Sequence, residues 1–309
     1  MSNDYSELYA KALEFIDNED FENGIAKLEQ IVNSDPTQHE AWYNMGLAYY
    51  RKNDFTNAIK CYKEATKTKP DHYNAWYNMG LAYDKNKDYK NAVISYDKAL
   101  ALNKNHLALL NKGLVEETLG NKDVALQCYE ESINLFPEYD KAWLNKGYLL
   151  YNSRKFEEAI SSLKKAIELD PTNDDAWYFM GVSYDELHQY KNAYKCFMES
   201  LKLDPLKQDS YEGIGTSFES LGLLREAAYY FNYARNLEKE KLDFTISGSS
   251  PDIITDLWIS KDGLGYDVYA STIARLLLNL KATPLAISIQ APWGRKNVID
   301  AYNSGKNRL

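Results

Sequence analysis

The chain has 309 residues, 45% of them hydrophobic, enough to bury a large core. Its formal net charge of -9 and pI near 5.1 argue against a nucleic-acid partner, whose phosphates call for clustered Lys and Arg. The N-terminal MSNDYSELYAKALEF lacks the basic and apolar regions of a signal peptide, and the most apolar tract, 273–291, is too interrupted by Arg275, Lys281 and Pro284 to span a membrane, so a cytoplasmic location without a membrane partner is expected.

In chain order, the first recurring feature is a decapeptide. AWYNMGLAYY occupies 41–50, AWYNMGLAYD 75–84 and AWYFMGVSYD 176–185. The first two stand 34 residues apart, and a fixed period of this length marks stacked copies of one supersecondary unit. Aligned on glycine, the copies bring Gly46, Gly80, Gly113, Gly147, Gly181 and Gly215 into register, with Ala12 in that place in a divergent first copy. Twelve residues further come Gly24, Ala58, Ala92, Ala125, Ala159, Ala193 and Ala227. Four beyond those stand Leu28, Tyr62, Tyr96, Tyr129, Leu163, Phe197 and Phe231. Proline closes most copies, at Pro36, Pro70, Pro137, Pro171 and Pro205, and Leu109 and Tyr211 replace the Trp of the other copies.

Trp42, Met45, Gly46, Tyr49, Ala58, Tyr62 and Pro70 make this pattern resemble the tetratricopeptide repeat, W-x2-L-G-x2-Y…A-x3-F…P. The resemblance covers 5–241 as seven repeats, at about 5–38, 39–72, 73–105, 106–139, 140–173, 174–207 and 208–241. It implies an all-α fold, a right-handed α-solenoid of about seven stacked helix-turn-helix repeats. The spacing has a physical reason. Small residues at the glycine and alanine places let two helices approach closely, while the large ones fill gaps, each stabilising by roughly 1.5–3 kcal/mol on burial. Proline ends the second helix, and no repeat can bury its apolar face alone.

In such a stack the first helices line the concave side. Two residues before the glycine stand Asn44, Asn78, Asn111 and Asn145. Around them lie Tyr43 and Tyr77, three before the glycine, and Leu47, Leu81 and Tyr148, one after it. A carboxamide both donates and accepts hydrogen bonds, so a row at repeat spacing can clasp the backbone of an extended peptide. The same row can instead hydrogen-bond within the solenoid. A two-carboxylate clamp, another use of the family, is not expected, since Tyr43, Glu40 and Asn74 stand where basic residues are wanted.

Cys61, Cys128 and Cys196 each follow a repeat glycine by fifteen residues and are expected as buried small hydrophobes, too far apart to bridge. His39, His72, His106 and His188 fall near repeat boundaries or turns, without metal-ligand pairing, and are expected in solvent-exposed turns. The acidic residues are expected on helix surfaces, and neighbours such as Glu116 and Glu117 do not share a face. No catalytic set, cofactor, metal or small-molecule substrate is expected.

After Lys241 the period stops. Residues 242–263 read as a linker carrying ISGSSPD, GLGYDVYASTIARLLLNL has helical spacing, and PLAISIQ alternates like a strand before APWG. Asp262, Leu264, Gly265, Tyr266, Tyr269 and Ala270, then Ile287 to Gly294, resemble the start of KAP-type P-loop NTPases, which implies a short α/β fragment over 264–309. The phosphate chemistry is missing: Arg295, Lys296 and Asn297 stand where G-K-[ST] would follow, and the chain ends at Leu309 before a Walker B acid. Arg295–Asp300 can be encoded so that a one-base shift spells Gly-Lys-Thr-Ser-Leu-Met, which suggests a frameshifted NTPase whose start is poorly ordered. The expectation for the whole is a non-enzymatic scaffold binding a protein or peptide on the concave face. The alternative is a truncated KAP-type ATPase whose repeats recruit partners.

Overall fold

The computed structural model describes residues 5–247, and within them every element is an α-helix. Fourteen helices follow in pairs: α1 Ser6–Asp17 and α2 Phe21–Ser34, α3 His39–Arg51 and α4 Phe55–Thr68, α5 Tyr73–Lys85 and α6 Tyr89–Leu102, α7 His106–Thr118 and α8 Lys122–Leu135, α9 Asp140–Asn152 and α10 Phe156–Leu169, α11 Asp174–Glu186 and α12 Tyr190–Leu203, α13 Gln208–Ser220 and α14 Leu224–Ser247. The chain divides into two compact units, Met1–Leu149 and Leu150–Leu309, the boundary falling within α9.

In the first unit α1–α2, α3–α4, α5–α6 and α7–α8 pack as hairpins, and α2 packs on α3, α4 on α5 and α6 on α7. First helices also meet one another, α1 with α3, α3 with α5 and α5 with α7, whereas among the described residues α2, α4, α6 and α8 do not. The stack is therefore tighter along its first helices, and that side is the inner one. In the second unit α11–α12 and α13–α14 form hairpins, with α10 on α11 and α12 on α13.

The glycine register makes the hairpins close. A Cβ on Gly80 would lie 2.6 Å from Cε1 of Tyr96, and Gly46 meets Tyr62, Gly113 Tyr129 and Gly181 Phe197 in the same way. All four aromatic residues are 0% exposed. Each hairpin turns through a left-handed residue seven places after the repeat glycine: Gly120 and Gly222 where glycine is available, but Glu19, Asn53, Lys87, Arg154 and His188 elsewhere, at φ near 60°. In three repeats an aspartate then caps the second helix. Asp20, Asp54 and Asp88 accept from the backbone N–H of Asn23, Asn57 and Asn91, whose side-chain amides donate back at 2.7 Å.

Trp and Pro form one device. The indole N–H of Trp42 donates to the carbonyl of Pro36 at 2.9 Å, Trp76 to Pro70 at 2.8 Å, Trp143 to Pro137 at 2.8 Å and Trp177 to Pro171 at 3.2 Å. Tyr211 does the same with its hydroxyl to Pro205 at 3.2 Å. The boundary without proline, at 103–105, is followed by Leu109, which has no hydrogen to donate. At five junctions the aromatic residue thus ties a repeat to the close of the preceding one, beyond filling space.

Cys61, Cys128 and Cys196 are free and buried, as their spacing implies. Two of the side-chain expectations are corrected. His72 is not an exposed turn residue: it is 8% exposed, and its Nδ1 accepts from the backbone N–H of Ala75 at 3.4 Å, capping α5. Glu116 is buried rather than on a helix surface, because Asn121 donates to its carboxylate at 2.7 Å. Helix α14 runs to Ser247, so 242–247 continue it where a linker was expected. The remaining expectations for 248–309 (linker, strand and P-loop fragment) lie outside the described residues.

Candidate functional site: the inner face of the first unit

The asparagine row lies on the inner helices α3, α5 and α7 and on α9, and the structure gives three of its members partners. Asn44 Nδ2 donates to the Tyr9 hydroxyl at 2.6 Å and to the Glu40 carbonyl at 2.9 Å. Asn78 Nδ2 donates to the Tyr43 hydroxyl at 3.0 Å, and Asn111 Nδ2 to the Tyr77 hydroxyl at 2.8 Å. Each bond joins one repeat to the next across 34 or 35 residues. At Asn145 the tyrosine one repeat back is replaced by Leu110, which has no hydroxyl, and its carboxamide makes no hydrogen bond among the described residues. Three of the four carboxamides thus hydrogen-bond within the solenoid.

Burial raises the pKa of Tyr9, Tyr43 and Tyr77, so each hydroxyl stays protonated. Each accepts from asparagine and keeps its own hydrogen to give, while the asparagine keeps its oxygen to accept. A clasp therefore offers the donor and acceptor that a peptide group needs. Beside the clasps, Tyr43, Leu47, Tyr77 and Leu81 are half-buried and packed on the same core cluster. Further along, Leu114 is 39% and Tyr148 36% exposed, so the face becomes more open and apolar there.

At the outer end of this face, Glu40 Oε1 lies 3.3 Å from His39 Nε2 and 3.7 Å from His72 Nε2. Burial lowers the pKa of His72, and its ring packs on Tyr43 at 4.8 Å. Among the described residues no group of three or more His, Cys, Asp or Glu is placed to hold a metal ion. In the second unit the inward pattern stops at the last repeat: Tyr178 and Val182 of α11 give way to exposed Glu212 and Thr216 on α13.

This paired-helix register defines a class. Family models for the tetratricopeptide repeat match residues 9–60 and 43–106, 107–139, 140–173 and 174–207, so the chain belongs to the tetratricopeptide repeat family. The matches end at 207 and lend no support to the resemblance of 262–294 to KAP-type NTPases. No curated protein matches the chain. Among solved structures it is similar to YrrB, a TPR protein with an unusual peptide-binding site, at 22% identity and TM-score 0.53 over 59% of this chain and 95% of that one. It is also similar to a tetratricopeptide repeat protein from Parabacteroides merdae, at 18% identity and TM-score 0.57 over 75% and 93%. Pseudomonas aeruginosa PilF matches at 19% identity and TM-score 0.54 over 68% and 93%. No helix among the described residues is long and apolar enough to cross a membrane.

Proposed function

We propose that this protein is a non-enzymatic interaction scaffold that binds an extended peptide segment of a protein partner along the inner face of its repeats. The observation that carries the reading is the periodic clasp. Tyr9–Asn44, Tyr43–Asn78 and Tyr77–Asn111 present a donor and an acceptor at three successive repeat junctions, beside apolar Leu47, Leu81 and Leu114. An extended chain has the matching alternation of carbonyl, N–H and side chain. Asn145, without a tyrosine, and Tyr148 extend the row toward its open apolar end. The family's interaction role and the fold shared with a peptide-binding protein support the same reading.

The test is binding of peptides from a random 12-residue display library selected on the full chain. Asn78→Ala with Asn111→Ala is expected to weaken the selected peptides about tenfold, the effect of losing central anchoring contacts, while the helical content stays that of the parent. Unchanged affinity would remove the clasp from the account.

A further inference from the structure

Three equivalent sites inside the first unit differ in one respect. In the fourth repeat the Tyr129 hydroxyl, sixteen residues after Gly113, donates to Glu117 Oε2 at 2.9 Å. In the third repeat the same places hold Tyr96 and Asp84. Aspartate is one methylene shorter, and the Tyr96 hydroxyl is left buried with no partner. In the second repeat Tyr50 takes the acidic place, and the Tyr62 hydroxyl is also unpaired. Asp84 therefore does not bond the tyrosine of its repeat as Glu117 does. Its carboxylate makes no hydrogen bond or ion pair among the described residues, although it is half-buried and Lys85 follows it in the chain.

Asp84 sits in the last turn of α5, where the helix carbonyls already make the potential negative. Burial raises its pKa, the mark of a carboxylate whose charge lacks support. Its charge acts on Tyr50 and Tyr96, and Tyr77 packs on Tyr96 with ring centroids 6.1 Å apart. On α5 Asp84 follows Leu81 by three residues and Tyr77 by seven, so helical spacing puts it on the same face as Tyr77, whose hydroxyl accepts from Asn111.

We propose that the unpartnered carboxylate of Asp84, on the inner face of α5, is a subsite for a cationic side chain, lysine or arginine, of the bound peptide. A carboxylate without an internal donor keeps its acceptor sites for a ligand, and a charge-assisted hydrogen bond from a guanidinium or ammonium fits them. The chain's net charge of -9 favours approach of a basic segment. The inference rests on the peptide-scaffold reading for the identity of the ligand, but the site can be tested apart from it.

Nα-acetyl-arginine amide and its neutral isostere Nα-acetyl-citrulline amide are titrated into the full isotope-labelled chain, and the amide signals of Tyr50, Tyr77 and Asp84 are followed. The arginine amide is expected to shift them saturably, with affinity weaker by about fivefold or more for citrulline and in Asp84→Asn, the size of one lost partly exposed ion pair. Asp84→Asn keeps the side-chain volume and removes an unsupported charge, so its melting temperature should not fall, and loss of binding there is not loss of fold. Equal shifts with citrulline, unchanged shifts in Asp84→Asn, or no saturable shift would overturn the subsite. Selected peptides that need Asn78 and Asn111 but tolerate replacement of every Lys and Arg would sink the subsite and leave the scaffold standing. A titration that succeeds where no peptide is selected would do the reverse.

Discussion

Tyr96→Phe and Tyr129→Phe delete the same hydroxyl from equivalent places and are expected to move stability in opposite directions. Tyr129 donates to a carboxylate at 2.9 Å, and a hydrogen bond to a charged group contributes about 1.5–3 kcal/mol. Glu117 is partly exposed, so water recovers some of this, and a loss of about 1–2 kcal/mol is expected. The Tyr96 hydroxyl is buried without an acceptor, and a stranded polar group of this kind costs about 1–3 kcal/mol. Removing it strands nothing else and leaves the ring against Gly80, so a gain of about 1 kcal/mol is expected. The two variants should differ by about 2–3 kcal/mol, or roughly 4–12 °C in melting temperature for a chain of this size. Thermal melts followed by circular dichroism, with urea titrations beside them, read the difference. Asp84→Glu, which supplies the missing methylene, should raise the melting temperature, and that gain should vanish in a background of Tyr96→Phe. If both tyrosine variants shift the same way by the same amount, the reading of Asp84 as not bonded to Tyr96 is wrong.

Gly80→Ala should lower the urea midpoint: its Cβ would stand 2.6 Å from the fully buried ring of Tyr96, and overpacking at about 1–3 kcal/mol outweighs the gain of at most about 1 kcal/mol in helix propensity. Burial pushes the thiols of Cys61 and Cys196 up to about 12 and that of Cys128 up to about 11, so iodoacetamide at pH 8 should leave the native chain unlabelled and modify all three in urea; rapid native labelling would contradict their burial. Asp84 has a folded pKa above its ordinary value of 3.8, so its ionisation opposes folding and stability is lost as pH rises through the folded pKa. Asp84→Asn should therefore melt above the parent at pH 7 and level with it near pH 3, as melts at both pH values would check.

The helix pairs were legible in the sequence because packing repeats with the chain. Glycine opposite a large ring recurs at one spacing, and the structure puts Gly46 on Tyr62 and Gly80 on Tyr96. What spacing does not disclose is direction. The asparagines stand in a row, but their donation to tyrosines of the preceding repeat depends on where two side chains point across 34 or 35 residues. The pairing of Trp with Pro could have been read from one absence, the loss of both at the junction before Leu109. The left-handed turns at Glu19, Asn53, Lys87, Arg154 and His188 could not, since only Gly120 and Gly222 announce such a backbone by residue type. The burial of His72 was missed because its place at a boundary predicted exposure, whereas its ring caps α5 and packs against Tyr43. The difference between Asp84 and Glu117 was visible as letters but acquires meaning only once Tyr96 and Tyr129 are seen above them.

The claim that the inner face binds the peptide is tested most directly by placing a photo-crosslinking residue, p-benzoylphenylalanine, at Leu81 on that face and at Ile94, which is 53% exposed on α6. A display-selected peptide should be captured on irradiation from position 81 and not from position 94, with unlabelled peptide competing the adduct away. Capture from 94 in place of 81 would contradict the account and move the binding surface to the second helices.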